Sequence, residues 1–99
     1  MRVRYTLGAR RELEQAIDYL LEHAPHVASN FADSVDQSVR EIIDHPYSAQ
    51  ATDLPGVRRK HIRRFRYTLF NSIEPVIDEL VILNIRHAAQ RPLSDTTRS

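Results

Sequence analysis

Cysteine is absent from this 99-residue chain, so disulfide frameworks, thiolate metal sites and cysteine nucleophiles are all excluded. That absence suits a reducing cytoplasm, where the protein is expected to reside. Glycine is scarce, occurring only at Gly8 and Gly56, and neither position belongs to a glycine-rich phosphate loop or a dinucleotide fingerprint. No cofactor is therefore expected. Long apolar runs are missing: nothing approaches the ~18 residues of a membrane span, and the opening MRVRYTLGARRELEQ carries no apolar signal segment. Internal repeats and low-complexity tracts are missing as well.

A further absence is local. Between Val57 and Ile73 there is no Asp or Glu, while Arg58, Arg59, Lys60, Arg63, Arg64 and Arg66 place six of the fourteen cations within nine residues. Nine of the thirteen acids lie at or before Asp53, so a formal net charge of +1 conceals an acidic half and a basic half. Such segregation predicts an electropositive surface for an anionic partner. Lys and Arg on an exposed strand also blunt its unpaired edge, and that is the role these cations would have with no partner at all.

A chain of this length forms one domain, residues 1–99, able to bury roughly 60–65% of its unfolded surface in a single core. RVRYT (Arg2 to Thr6) alternates in the strand period, with Val3 and Tyr5 on one face. From Ala9 the period becomes helical: Leu13, Ala16, Ile17 and Leu20 form a stripe, with Glu12, Glu14, Asp18 and Glu22 read as a solvated face. This helix should end near His23. A second stripe, Ala28, Phe31, Ala32, Val35, Val39, Ile42 and Ile43, continues to Pro46, opposite Asp33, Asp36, Glu41 and Asp44. The break at HAPH is so short that the two helices must form an antiparallel hairpin. HPYSAQATDLPG reads as a polar loop.

The rest is strand-like. VRRKHIR and FRYTLFNSI pair through a tight turn around Arg64, EPVID makes a second turn, and ELVILNIRH (Glu79 to His87) has the continuous apolar character of a central strand covered on both sides. Residues 88–99 have little to bury and are expected to pack poorly. The expected class is α+β, ordered strand, helix, helix and then a three-stranded antiparallel meander, with the helical hairpin laid on the sheet.

This arrangement resembles the RelE/ParE superfamily of type II toxins, and more closely its ParE branch. The residues that carry the resemblance are YTLGARRELEQAIDYLLEHAP, the second helix ending at Ile42 to Pro46, Gly56 and Arg58 opening a strand, a Tyr-centred strand at Tyr67, and a last strand closing on His87 and Gln90–Arg91–Pro92. The resemblance covers nearly the whole chain. It implies a plasmid-stabilisation toxin neutralised by a cognate antitoxin, in a toxin–antitoxin hetero-oligomer. Two activities occur in the superfamily, ribosome-dependent mRNA cleavage and poisoning of DNA gyrase, and the fold alone does not choose between them.

Metal-free RNA cleavage needs a proton acceptor, cations for the growing phosphate charge and an acid for the leaving oxygen. His61 and His87, with Arg59 and Arg66, are the candidates. RelE-like members place a Tyr or another acid–base residue after the last strand, whereas this chain has no Tyr after Tyr67 and no Lys after Lys60. The gyrase reading, which needs only a binding surface, is therefore preferred, with Arg58, Arg59, Lys60, Arg63, Arg64, Arg66 and Tyr67 as target- or antitoxin-binding residues. A purely interacting member that only receives an antitoxin is the third possibility. Tyr5, Tyr19 and Tyr67 read as core or half-buried aromatics, and Tyr67 and Phe65, interleaved with Arg64 and Arg66, are the pair to test for base stacking. No metal site is expected, because Pro25 keeps His23 and His26 off a common helix face and His45 is remote.

Overall fold

The computed structural model describes residues 1–88, so the expected poorly packed tail lies, beyond Ala88, outside the described residues. The elements are β1 (Arg2–Tyr5), α1 (Leu7–His23), α2 (Pro25–Asp44), β2 (Gln50–Ala51), β3 (Arg58–Ile62), β4 (Tyr67–Glu74) and β5 (Glu79–His87). Helix α1 begins two residues before the expected Ala9, because the Thr6 hydroxyl accepts from the Ala9 N–H at 3.1 Å and caps the first turn. Ala24 alone separates the helices, and Pro25 opens α2 where its missing N–H costs nothing.

The meander is present and extended on both sides. The sheet order is β1-β5-β4-β3-β2, with β1 parallel to β5 and every other pair antiparallel. β5 therefore lies inside the sheet, and Glu79 to Ile82 are all buried. The polar loop hides one correction: Gln50 and Ala51 pair with Arg59 and Arg58 as a two-residue edge strand. The turn at Arg64 is as expected, with Arg64 at a φ of 70°.

One face of the sheet carries the core. Ala9 and Ala16 from α1, and Phe31, Val35, Val39 and Ile42 from α2, pack on Ile62, Leu69, Leu80, Ile82 and Ile85. Each of the larger aliphatic and aromatic side chains contributes about 1.5–3 kcal/mol on full burial. Ala32, expected on the same stripe, is exposed. Asn71, 0% exposed on the core side of β4, has no partner for its amide among the described residues.

Glu12 departs most from expectation. β1 pairs β5 only as far as Ile82, and a register shift follows in the β4–β5 ladder between Phe70 and Asn71. The Thr6 hydroxyl donates to the Leu83 carbonyl at 2.9 Å, which holds the N-terminus of α1 against this irregularity. Just under two turns later, Glu12 takes the place of a neighbouring strand. Its Oε1 accepts from the Ile85 N–H at 3.0 Å and from Asn84 Nδ2 at 3.1 Å, and its Oε2 lies 3.5 Å from Arg86 Nε. Glu12 is thus a structural anchor and not part of a solvated face.

Candidate functional site

The basic stripe is divided by the pleat of β3. Its register sets Arg58 opposite Asn71, Lys60 opposite Leu69 and Ile62 opposite Tyr67, which puts these residues on the core face. Arg59 and His61, opposite Phe70 and Thr68, take the other face. The two sets meet different surroundings.

On the core side the cations are consumed by the fold. Arg58 Nη1 donates to the carbonyls of Ala49 at 2.7 Å and Tyr47 at 3.2 Å, and its guanidinium lies 5.4 Å from the centre of the Tyr47 ring. Lys60 Nζ reaches Glu41 Oε2 on α2 at 2.9 Å. On the outer face Arg59 Nε donates to Gln50 Oε1 at 3.0 Å, and His61 Nδ1 lies 3.1 Å from the Thr68 hydroxyl. The turn carries the remainder. Arg63 makes a long 3.8 Å contact with Glu41, and Arg64 and Arg66 are exposed without an ion-pair partner among the described residues. Within the stripe, the free positive charge is therefore concentrated at the β3–β4 hairpin end.

Behind this turn lies a cleft of about 470 Å³ between α2 and β3, lined by Ser34, Gln37, Glu41, Lys60, Arg63 and Arg64, with His61 also bordering it at the β3 edge. The Glu41 carboxyl is held below its ordinary value, first by the hydrogen bond from Lys60 and then by the charges of Lys60 and Arg63. Glu41 is a site residue that sequence reasoning missed. The helical pattern places it on the polar side of α2, and only the packing of α2 on β3 reveals its partners.

Tyr67 and His87 face the core side instead. Their rings meet edge-on at 5.0 Å, and Tyr67 packs on Phe31 at 4.9 Å. Together with Glu12, Gln15, Tyr19 and Ile85 they border a second cleft of about 260 Å³. Burial, and secondarily the proximity of Tyr19, pushes the Tyr67 phenol up, so it stays neutral at physiological pH. Phe65 also turns toward Phe31, at 5.0 Å in a T-shaped contact. Phe65 and Tyr67 are thus half-buried, each with its ring packed against Phe31 of the core.

The candidate cleavage set is divided in the same way. His61 is registered with Thr68 and His87 with Tyr67, and consecutive residues of β4 point to opposite faces, so the two histidines lie on opposite sides of the sheet. Arg59 shares the side of His61. Among the described residues no three His, Asp or Glu side chains gather as a metal would require, and His23 stacks on Tyr19 at the end of α1.

The family model for the ParE toxin of the type II toxin–antitoxin system parDE matches residues 3–92. The chain belongs to the ParE toxin family. Similar solved structures include the chromosomal ParDE system from P. aeruginosa, with a TM-score of 0.74 and 19% identity over 88% of this chain and 95% of that one. The intact E. coli RelBE complex follows with a TM-score of 0.64 and 12% identity over 91% and 98% of the two chains. The RelBE2 complex from Mycobacterium tuberculosis has a TM-score of 0.58 and 25% identity over 90% and 92%. No curated protein sequence matches the chain. In this ParE-family toxin the shared fold displays a hairpin end with Arg63, Arg64 and Arg66 outermost, while Arg58 and Lys60 serve the architecture. No described helix is long and apolar enough to cross a membrane.

Proposed function

We propose that this ParE-family toxin acts by binding, that DNA gyrase is its target, and that a cognate antitoxin neutralises it by forming a hetero-oligomer with it. The carrying observation is the separation of His61 from His87 by the thickness of the sheet. Cleavage of RNA would require an acid and a base on either side of one phosphate, within hydrogen-bond reach of it. A binding toxin has no such requirement. It needs a surface that the fold displays and does not itself neutralise, and Arg63, Arg64 and Arg66 at the β3–β4 turn fit that need, with Arg59 beside them on the outer face.

Substituting His61 by Gln separates the two activities without disturbing the core, because His61 is exposed. A binding toxin keeps its growth inhibition in the H61Q variant, whereas loss of a general acid or base lowers cleavage by about 10²- to 10⁴-fold. The readout is growth arrest on induction, with mapping of mRNA 5′ ends in the same cells. Intact toxicity with unbroken message supports binding. Cut codons that disappear with H61Q would establish the ribonuclease instead.

A further inference from the structure

Glu41 lies where an incoming anion would have to go. Its Oε2 is 2.9 Å from Lys60 Nζ, a full charge-assisted hydrogen bond, while its Oε1 is 3.8 Å from Arg63 Nη2, too long for one. Lys60 is thereby neutralised, but the forked donors of Arg63 remain open, and Arg64 on the same wall has no anionic partner among the described residues. Three cations thus share one carboxylate in about 470 Å³. That volume is many times the ~30 Å³ share of a water molecule, so a second side chain has room.

The ground beside the cleft has the opposite sign. Asp33, Asp36, Gln37 and Arg40 border an adjoining groove of about 530 Å³, and Gln37 belongs to both. Asp36 is paired with Arg40 at 3.0 Å, which leaves Asp33 as the charge there without an ion-pair partner among the described residues. Asp33 and Glu41 are eight residues apart on α2, roughly 12 Å along the helix axis. A phosphodiester backbone is negative throughout, so entering the cleft would bring it against Asp33. A polypeptide can change sign over the same distance.

We propose that the outer side of α2, from the Glu41 cleft to Asp33, docks a polypeptide segment of mixed charge. An acidic side chain enters beside Glu41 onto Arg63 and Arg64, and a basic one about 12 Å away meets Asp33. This rests on the reading that the toxin has a protein partner, but not on gyrase being the target. Glu41 then acts as a resident competitor that weakens the site, since its carboxylate already occupies Lys60.

The test is titration of the isotope-labelled full chain by amide NMR. The probe is an Ala-rich helical peptide bearing a Glu pair and, eight residues on, a Lys pair; the comparison probes are the same peptide with Gln at all charged positions and a 20-base-pair DNA duplex. Saturable shifts are expected at Asp33, Ser34, Gln37, Glu41, Arg63 and Arg64 with the charged peptide only. The R63Q/R64Q double variant should weaken binding at least fivefold, D33N about threefold, and E41Q should strengthen it three- to tenfold by releasing Lys60. Shifts elsewhere, equal binding by the Gln peptide, stronger occupation of the same residues by DNA, or an E41Q variant that binds no better would each overturn the proposal. Inhibition of gyrase by a chain that ignores the peptide rejects this site alone. A chain that binds the peptide and leaves gyrase untouched rejects the target alone.

Discussion

Removing the Glu12 carboxylate tests how the edge of β5 beyond the reach of β1 is held. The side chain is 18% exposed, accepts from the Ile85 N–H at 3.0 Å and from Asn84 Nδ2 at 3.1 Å, and lies 3.5 Å from Arg86 Nε, an ion-pair contact that is not a hydrogen bond. A hydrogen bond to a charged group contributes about 1.5–3 kcal/mol, and a buried donor left without a partner costs about 1–3 kcal/mol. Those two figures describe overlapping effects, and residual exposure lets water replace part of what is lost. Glu12→Ala is therefore expected to cost about 2–3 kcal/mol. At about 4–8 °C per kcal/mol for a domain of this size, the melting temperature should fall by about 8–24 °C. Glu12→Gln keeps an acceptor oxygen for Ile85 but gives up the ion pair with Arg86, so about 1 kcal/mol is expected. Urea unfolding followed by circular dichroism measures both, with the m-value unchanged if the native fold is kept. A loss below about 0.5 kcal/mol for the Ala variant, or Gln as damaging as Ala, would refute the idea that this carboxylate stands in for a strand.

Other substitutions test neighbouring steps. Thr6→Ala removes both the cap on Ala9 and the donor to Leu83, and should cost about 1–2 kcal/mol by the same unfolding assay. Arg64→Gly relieves a side chain held at a φ of 70° and should leave stability equal or up to about 1 kcal/mol higher, while Arg64→Val should lower it. Arg58→Lys keeps the charge, but its shorter stem brings the nitrogen short of the Ala49 and Tyr47 carbonyls that Nη1 now serves, and it loses the planar guanidinium beside the Tyr47 ring, so about 1 kcal/mol should be lost despite the apparent conservatism. For Glu41 the folded carboxyl titrates below its ordinary value of 4.5, so its stabilising contribution is complete above that pH and is lost as pH falls through the lower folded value. The stability gap between wild type and Glu41→Gln should accordingly be flat from about pH 8 to pH 5 and close in more acid solution; a gap that widens on acidification would show the sign to be wrong.

Much of the architecture is legible because helices and strands differ in period. The stripes of Leu13 to Leu20 and Phe31 to Ile42 announce two helices, and the acid-free segment from Val57 to Ile73 with the Val- and Ile-rich run after Glu79 announces the hairpin strands. Two-residue β2 is too short to carry a period, and it forms only because Arg58 and Arg59 offer an edge to it. The parallel pairing of Arg2 with Glu79 joins residues at opposite ends of the chain, which no local pattern encodes. The same limit applies to the site. Six cations in nine residues are visible at once, but their division into a structural set and a displayed set depends on where α2 and Ala49 lie. Whether His61 and His87 share a face depends on the registers of two hairpins, and a one-residue slip in either would reverse the answer. Glu12 and Glu41 look alike in the sequence as exposed helical acids, and each is recruited by a strand far along the chain.

The central claim is most directly tested with purified toxin, DNA gyrase, ATP and a relaxed plasmid, scoring both supercoiling and double-strand breaks released on denaturation. The account predicts that supercoiling falls and trapped breaks rise with toxin concentration, and that reversing Arg63, Arg64 and Arg66 to Glu removes both effects while leaving the circular dichroism spectrum unchanged. Full supercoiling with no trapped breaks, from folded toxin that its antitoxin still binds, would contradict it.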